Sequence, residues 1–73
     1  MKYAVIFEKA DHNWAAYVPD LPGCVTTGKT LEDTRLLIAE AIAFHVDGLK
    51  RHGYPVPEPS SRAEEIEAMA GGG

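Results

Sequence analysis

Seventy-three residues with a formal charge of −4 make one small domain, near the size at which a single core holds without disulfide, metal or partner. A lone cysteine, Cys24, excludes an internal disulfide and a paired-cysteine metal site, and it points to a reducing, cytoplasmic setting. The acidic balance without any Lys/Arg cluster argues against nucleic-acid binding through net charge, and no run approaches a membrane span or a signal peptide, so a soluble chain is expected.

Residues 2–8 alternate, with Tyr3, Val5 and Phe7 on one side and Lys2, Ala4, Ile6 and Glu8 on the other, which predicts a strand whose second face is itself partly apolar. Residues 9–13 are polar and turn-prone, and make a hairpin loop that holds His12 as an exposed histidine. Residues 14–18 form the second strand: Trp14, Ala16 and Val18 fall on one face, Ala15 and Tyr17 on the other.

Two prolines end that strand. Pro19 lacks an amide hydrogen, Pro22 restrains Leu21, and Gly23 supplies the positive φ that a turn after Pro-X requires. Asp20, Pro22, Gly23 and Cys24 are therefore read as a structural turn, in which Asp20 organises the backbone through local hydrogen bonds rather than serving as a catalytic acid. A short third strand over residues 24–27 ends at Gly28.

Thr30 is placed to cap a helix, with Glu32 and Asp33 in the first turn where the helix dipole favours negative charge. The helix is expected to run to about His52, with Lys50 and Arg51 in its last turn, Gly53 just beyond its end and Pro55 barring continuation. Leu31, Ile38, Ala41, Ile42, His45, Val46 and Leu49 form one stripe, in which His45 reads as a half-buried core residue. Leu37 and Phe44 widen the apolar arc to roughly 200°, about twice what one sheet face requires. The alternating prolines after Tyr54 impose an extended connector, Ser60 and Ser61 are read as caps of a short helix over residues 60–70, and residues 71–73 are expected to be disordered.

The expected architecture is α+β: an antiparallel sheet of three to four strands packed on one long helix, with a domain over 1–59 and a tail over 60–73 ending in a short helix or strand. It carries more apolar surface than one chain can hide. Trp14, Tyr17, Leu37 and Phe44 are accordingly assigned to a partner or oligomer interface, and a homodimer or higher oligomer is expected. No phosphate loop, nucleophile elbow or paired-cysteine metal spacing is present; Glu8, Asp11 and Asp20 are acids that a sheet could gather into a metal site, but their spacing is not diagnostic of one, so no catalytic residue, cofactor or metal is assigned.

The series Trp14-x-Ala16-x-x-Pro19-Asp20-Leu21-Pro22-Gly23-Cys24, then Thr27-x-x-Thr30, an amphipathic helix, and Gly53-x-x-Val56-Pro57-x-Pro59 resembles the HicB-like antitoxins of bacterial toxin–antitoxin pairs. The resemblance spans about residues 1–60. It implies a partial ribonuclease-H-like fold of order β-β-β-α-β, an oligomer, and a non-enzymatic role: binding and masking a small basic HicA-type toxin that cleaves messenger RNA. Many relatives add a C-terminal DNA-binding domain; about fourteen residues follow Pro59, too few for one, so direct DNA binding is not expected. The alternatives are a nuclease or nucleic-acid-binding remnant of that fold, and an orphan domain that only oligomerises.

Overall fold

The computed structural model describes residues 1–69. Three strands, β1 (Ile6–Lys9), β2 (Trp14–Tyr17) and β3 (Val25–Gly28), precede one helix, α1 (Leu31–Arg51). The strands form an antiparallel sheet in the order β1-β2-β3, giving the α+β fold with one long helix.

Register assigns the faces. Phe7 lies opposite Ala16 and Ala16 opposite Thr26, so these point toward the helix. Ile6, Tyr17 and Val25 lie opposite one another in a row across all three strands and point away from it. The helix packs on β3 and β2 and closes a core of Ala16, Val18, Leu21, Cys24 and Ile38, with Tyr3, Val5, Phe7 and Val46 packed around it. Over β1 the cover is thinner, and there the Arg35 guanidinium lies 6.0 Å from the centre of the Phe7 ring, within cation–π range.

The connection from β2 to β3 is two turns in succession. Leu21 N–H donates to the Val18 carbonyl (3.1 Å) and Cys24 N–H to the Leu21 carbonyl (3.0 Å). The second turn has Pro22 at its first inner position and Gly23 at its second with φ 85°, the arrangement of a type II turn. Between the two turns the Leu21 side chain is fully buried. The turn thus contributes a core residue as well as a reversal.

Helix α1 begins where Thr30 Oγ1 accepts from Asp33 N–H (3.0 Å), the N-cap bond. One turn on, the Thr34 hydroxyl donates to the Thr30 carbonyl (2.7 Å), and Thr34 is fully buried. Gly28 lies directly against it: a Cβ there would fall 2.5 Å from Thr34 Oγ1 and 3.0 Å from Thr34 N. The helix ends with Gly53 N–H donating to the Lys50 carbonyl and Tyr54 N–H to the Leu49 carbonyl, a Schellman closure around positive-φ Gly53.

Two expectations are corrected. The first strand does not pair from residue 2; the ladder begins at Ile6. Continuing it would set Ala4 against Pro19, which has no amide to offer, although Tyr3 and Val5 still pack on the core. In the tail, residues 60–69 form neither helix nor strand. Ser60 and Ser61 are engaged elsewhere, and Ile66 and Met69, the apolar face of the expected helix, are 85% and 93% exposed. A helix of about ten residues with nothing to pack on is not stable in water. Ala70, the end of that expected helix, and residues 71–73 lie outside the described residues.

Candidate partner-binding surfaces

The tail is fastened along the β1 side. The Tyr3 hydroxyl donates to the Pro57 carbonyl. Asp20 then accepts from the Ser60 and Ser61 amides at 2.7 and 2.8 Å, and from their hydroxyls at 3.2 and 2.7 Å. Beyond this clasp, Ala63, Glu64 and Glu65 face Val5, Ile6 and Phe7 across a groove. The tail therefore travels beside β1 in the same direction, without joining the sheet.

Asp20 does organise backbone, but that backbone lies forty residues away rather than within its own turn. Ser61, through its amide and then its hydroxyl, and next the Ser60 amide hold the Asp20 carboxyl down from 3.8 to about 2. Loss of hydration, then the negative charges of Glu58 and Asp20, push the Tyr3 hydroxyl up, which keeps it a donor to Pro57. Burial raises the Cys24 thiol, which makes it a packing residue rather than a reactive one.

The four residues assigned to an interface are not brought to one place. Trp14 is half-buried on the helix side of the sheet, opposite Lys9 and Gly28. Tyr17, 39% exposed, stands at the centre of the open sheet face between Ile6 and Val25. Leu37 and Phe44 share a flank of the helix, where Phe44 is 82% exposed. Leu37 lines an open groove with Gly28, at the end of β3, so this flank is on the β3 side.

These placements make two surfaces of different chemistry. The open sheet face offers Ile6, Tyr17 and Val25, with Glu8 in the neighbouring row and Glu64 and Glu65 of the tail at its margin. The β3 side offers the strand Val25–Gly28, which carries no charged residue, beneath Leu37 and Phe44, with Lys29, Asp33 and Glu40 lining the same groove. Among the described residues no group of three or more His, Cys, Asp and Glu is gathered to hold a metal ion, and no helix is long and apolar enough to cross a membrane. Each surface is suited to binding a macromolecule through apolar contact.

Comparison with known proteins places the fold in a recognised setting. A family model described as "HicB_like antitoxin of bacterial toxin-antitoxin system" matches residues 3–70. The chain is 42% identical over 71 residues to the UPF0150 protein Ta0767 of Thermoplasma acidophilum, covering 96% of this chain and 100% of that one. It is 31% identical over 64 residues to Antitoxin HicB 2 of Photorhabdus laumondii, covering 88% of this chain but 46% of the relative. The chain thus spans the whole of the archaeal relative and less than half of the bacterial one. A chain from a solved structure titled "HicA3 and HicB3 toxin-antitoxin complex" superposes with a TM-score of 0.70 at 32% identity, over 82% of this chain and 70% of that one.

Proposed function

The chain belongs to the HicB-like antitoxin family, and from that premise we propose that it is the antitoxin of a toxin–antitoxin pair, binding and neutralising a small basic HicA-type toxin in the cytoplasm. The observation that carries this reading is its likeness to a chain of a HicA3–HicB3 complex, at an identity that extends beyond fold alone. The role is one of binding, without catalysis.

The open sheet face suits such a partner. A protein that grips RNA does so with Lys and Arg aimed at phosphates. A surface carrying Glu8, Glu64 and Glu65 around an apolar row presents carboxylates where those cations expect phosphate, and it steers the encounter electrostatically. Tyr17, central in the row and only partly exposed, has the character of an anchor residue: a large amphipathic ring at low entropic cost. Neutralisation on this reading is occlusion of the toxin's RNA-binding surface, within the partial ribonuclease-H-like scaffold that the family resemblance implies.

Co-expression with a HicA-type toxin tests it. The wild-type chain should restore growth and co-purify with the toxin, and Tyr17→Glu should weaken toxin binding about thirtyfold or more. Full neutralisation by Tyr17→Glu would remove the sheet face from the reading. Failure of the wild-type chain to bind any HicA-type toxin would remove the reading itself.

A further inference from the structure

We propose that residues 62–69 are a docking arm for the basic protein seated on the open sheet face: rooted by the clasp of Asp20 on Ser60 and Ser61, the segment closes on that partner, with Ile66 and Met69 against its apolar surface and Glu64, Glu65 and Glu67 against its cations. The inference rests on the antitoxin reading and deepens it, giving the partner a second point of grip.

The sheet face is too small to hold a protein by itself. Its three strands of four residues each, about 4.8 Å apart with about 3.3 Å per residue, cover a flat area on the order of 200 Å². A stable interface takes about 800 Å² of accessible surface from each partner, and side-chain relief does not close that gap. The helix packs on the other side of the sheet, out of reach of a partner on this face. The surface continuous with the apolar row is the tail, where Ala63, Glu64 and Glu65 line one groove with Val5, Ile6 and Phe7. From Arg62 to Met69 an extended chain reaches up to about 28 Å, long enough to cross the face and continue over what is bound there.

The segment carries side chains that its own chain does not use. Among the described residues it forms neither helix nor strand, and past Ser61 no hydrogen bond joins it to the body. Ile66 and Met69 are almost wholly in water, apolar area that a partner can bury. The arm sets three carboxylates against one guanidinium, that of Arg62, which lies 3.6 Å from Glu64 with both side chains largely exposed, a pairing that holds little. Two carboxylates and no cation line the groove, and Glu8 shares the face of Ile6 whereas Lys9 turns to the helix side with Phe7. Such a surface repels RNA and suits a basic protein.

The clasp gives the arm its direction. Both oxygens of Asp20 are engaged by the two serines, and the Tyr3 hydroxyl holds Pro57 just before them, so the root is fixed while the residues beyond it make no such bond. A root placed in advance leaves less freedom to be lost on binding and keeps the arm concentrated beside a partner on the face.

Binding titration of the full chain against a HicA-type toxin, joined to hydrogen exchange of the tail with and without toxin and to circular dichroism as the check on folding, is the test. Amide exchange over residues 62–69 should slow when the toxin binds. Ile66→Ser combined with Met69→Ser should weaken binding about tenfold or more, and Glu64→Gln, Glu65→Gln and Glu67→Gln together should slow association and flatten its dependence on salt. Asp20→Ala, which frees the root, should weaken binding several-fold. Tail exchange unchanged by the toxin, or folded tail variants that bind as tightly as the wild-type chain, would overturn the arm; a loss of binding in Tyr17→Glu would then leave the antitoxin reading standing. A wild-type chain that binds no HicA-type toxin would overturn both.

Discussion

Along β1 the sheet is bordered by a tail held through polar groups, a tyrosine hydroxyl on Pro57 and one carboxylate gripping two serines. Along β3, among the described residues, no further strand joins the sheet, and the helix flank above mixes Leu37 with Asp33 and Glu40; the parts behind that edge are locked by packing: Leu21 between its two turns, and Gly28 against Thr34. One side is fastened from outside by polar groups. The other is held from within by a buried side chain and a close backbone approach.

Four changes sharpen or break this contrast, beginning with the largest. Leu21→Ala empties a fully buried site in the packed half, and chemical denaturation should show a loss of about 2–5 kcal/mol. A loss below about 1 kcal/mol would mean that the turn is not part of the core. Gly28→Ala drives a methyl into the Thr34 hydroxyl and backbone; the expected cost is about 1–3 kcal/mol, and an unchanged denaturation midpoint would show that the helix start is free to shift. Gly23→Val forces a branched residue to φ 85° and should cost more than about 1 kcal/mol, read as a lower melting temperature.

The tail behaves differently. Asp20→Ala should leave the melting temperature nearly unchanged while trypsin cuts after Arg62 several-fold faster. An equal rate of cutting would show that the clasp does not hold the tail. Acid provides the same release without mutation. A carboxyl whose pKa falls from 3.8 to about 2 on engaging the serines contributes its full stabilisation above pH 4, and loses it as the pH drops through about 2. Proteolysis by pepsin or hydrogen exchange across that interval should report the tail loosening, and tail protection that is flat with pH would contradict the assignment to Asp20.

Much of the packed half was legible because its determinants are local. Alternation over residues 2–8 and 14–18 assigns both sheet faces, Pro22-Gly23 announces a turn with positive φ at the glycine, and Thr30 and Gly53 bound the helix to within a residue of where it is observed. What was not legible depends on residues distant in sequence. Ser60 and Ser61 have the composition of helix caps, and only the folded chain reveals that Asp20, forty positions earlier, claims them first. Leu21 and Thr34 carry no sequence mark of full burial. The assigned interface joined Tyr17 to Leu37 and Phe44 because all are apolar in excess. Which flank of a helix overhangs which strand is a matter of topology, and topology sets them on separate surfaces.

The central claim is the proposal that the open sheet face, with Tyr17 in its apolar row between Ile6 and Val25, seats a basic toxin. Binding titration of the wild-type chain and of Tyr17→Glu against a HicA-type toxin, with circular dichroism as the check on folding, tests it most directly. The account predicts that the wild-type chain binds and that Tyr17→Glu, still folded, binds about thirtyfold or more weakly. A folded Tyr17→Glu variant that binds the toxin as tightly as the wild-type chain would contradict it.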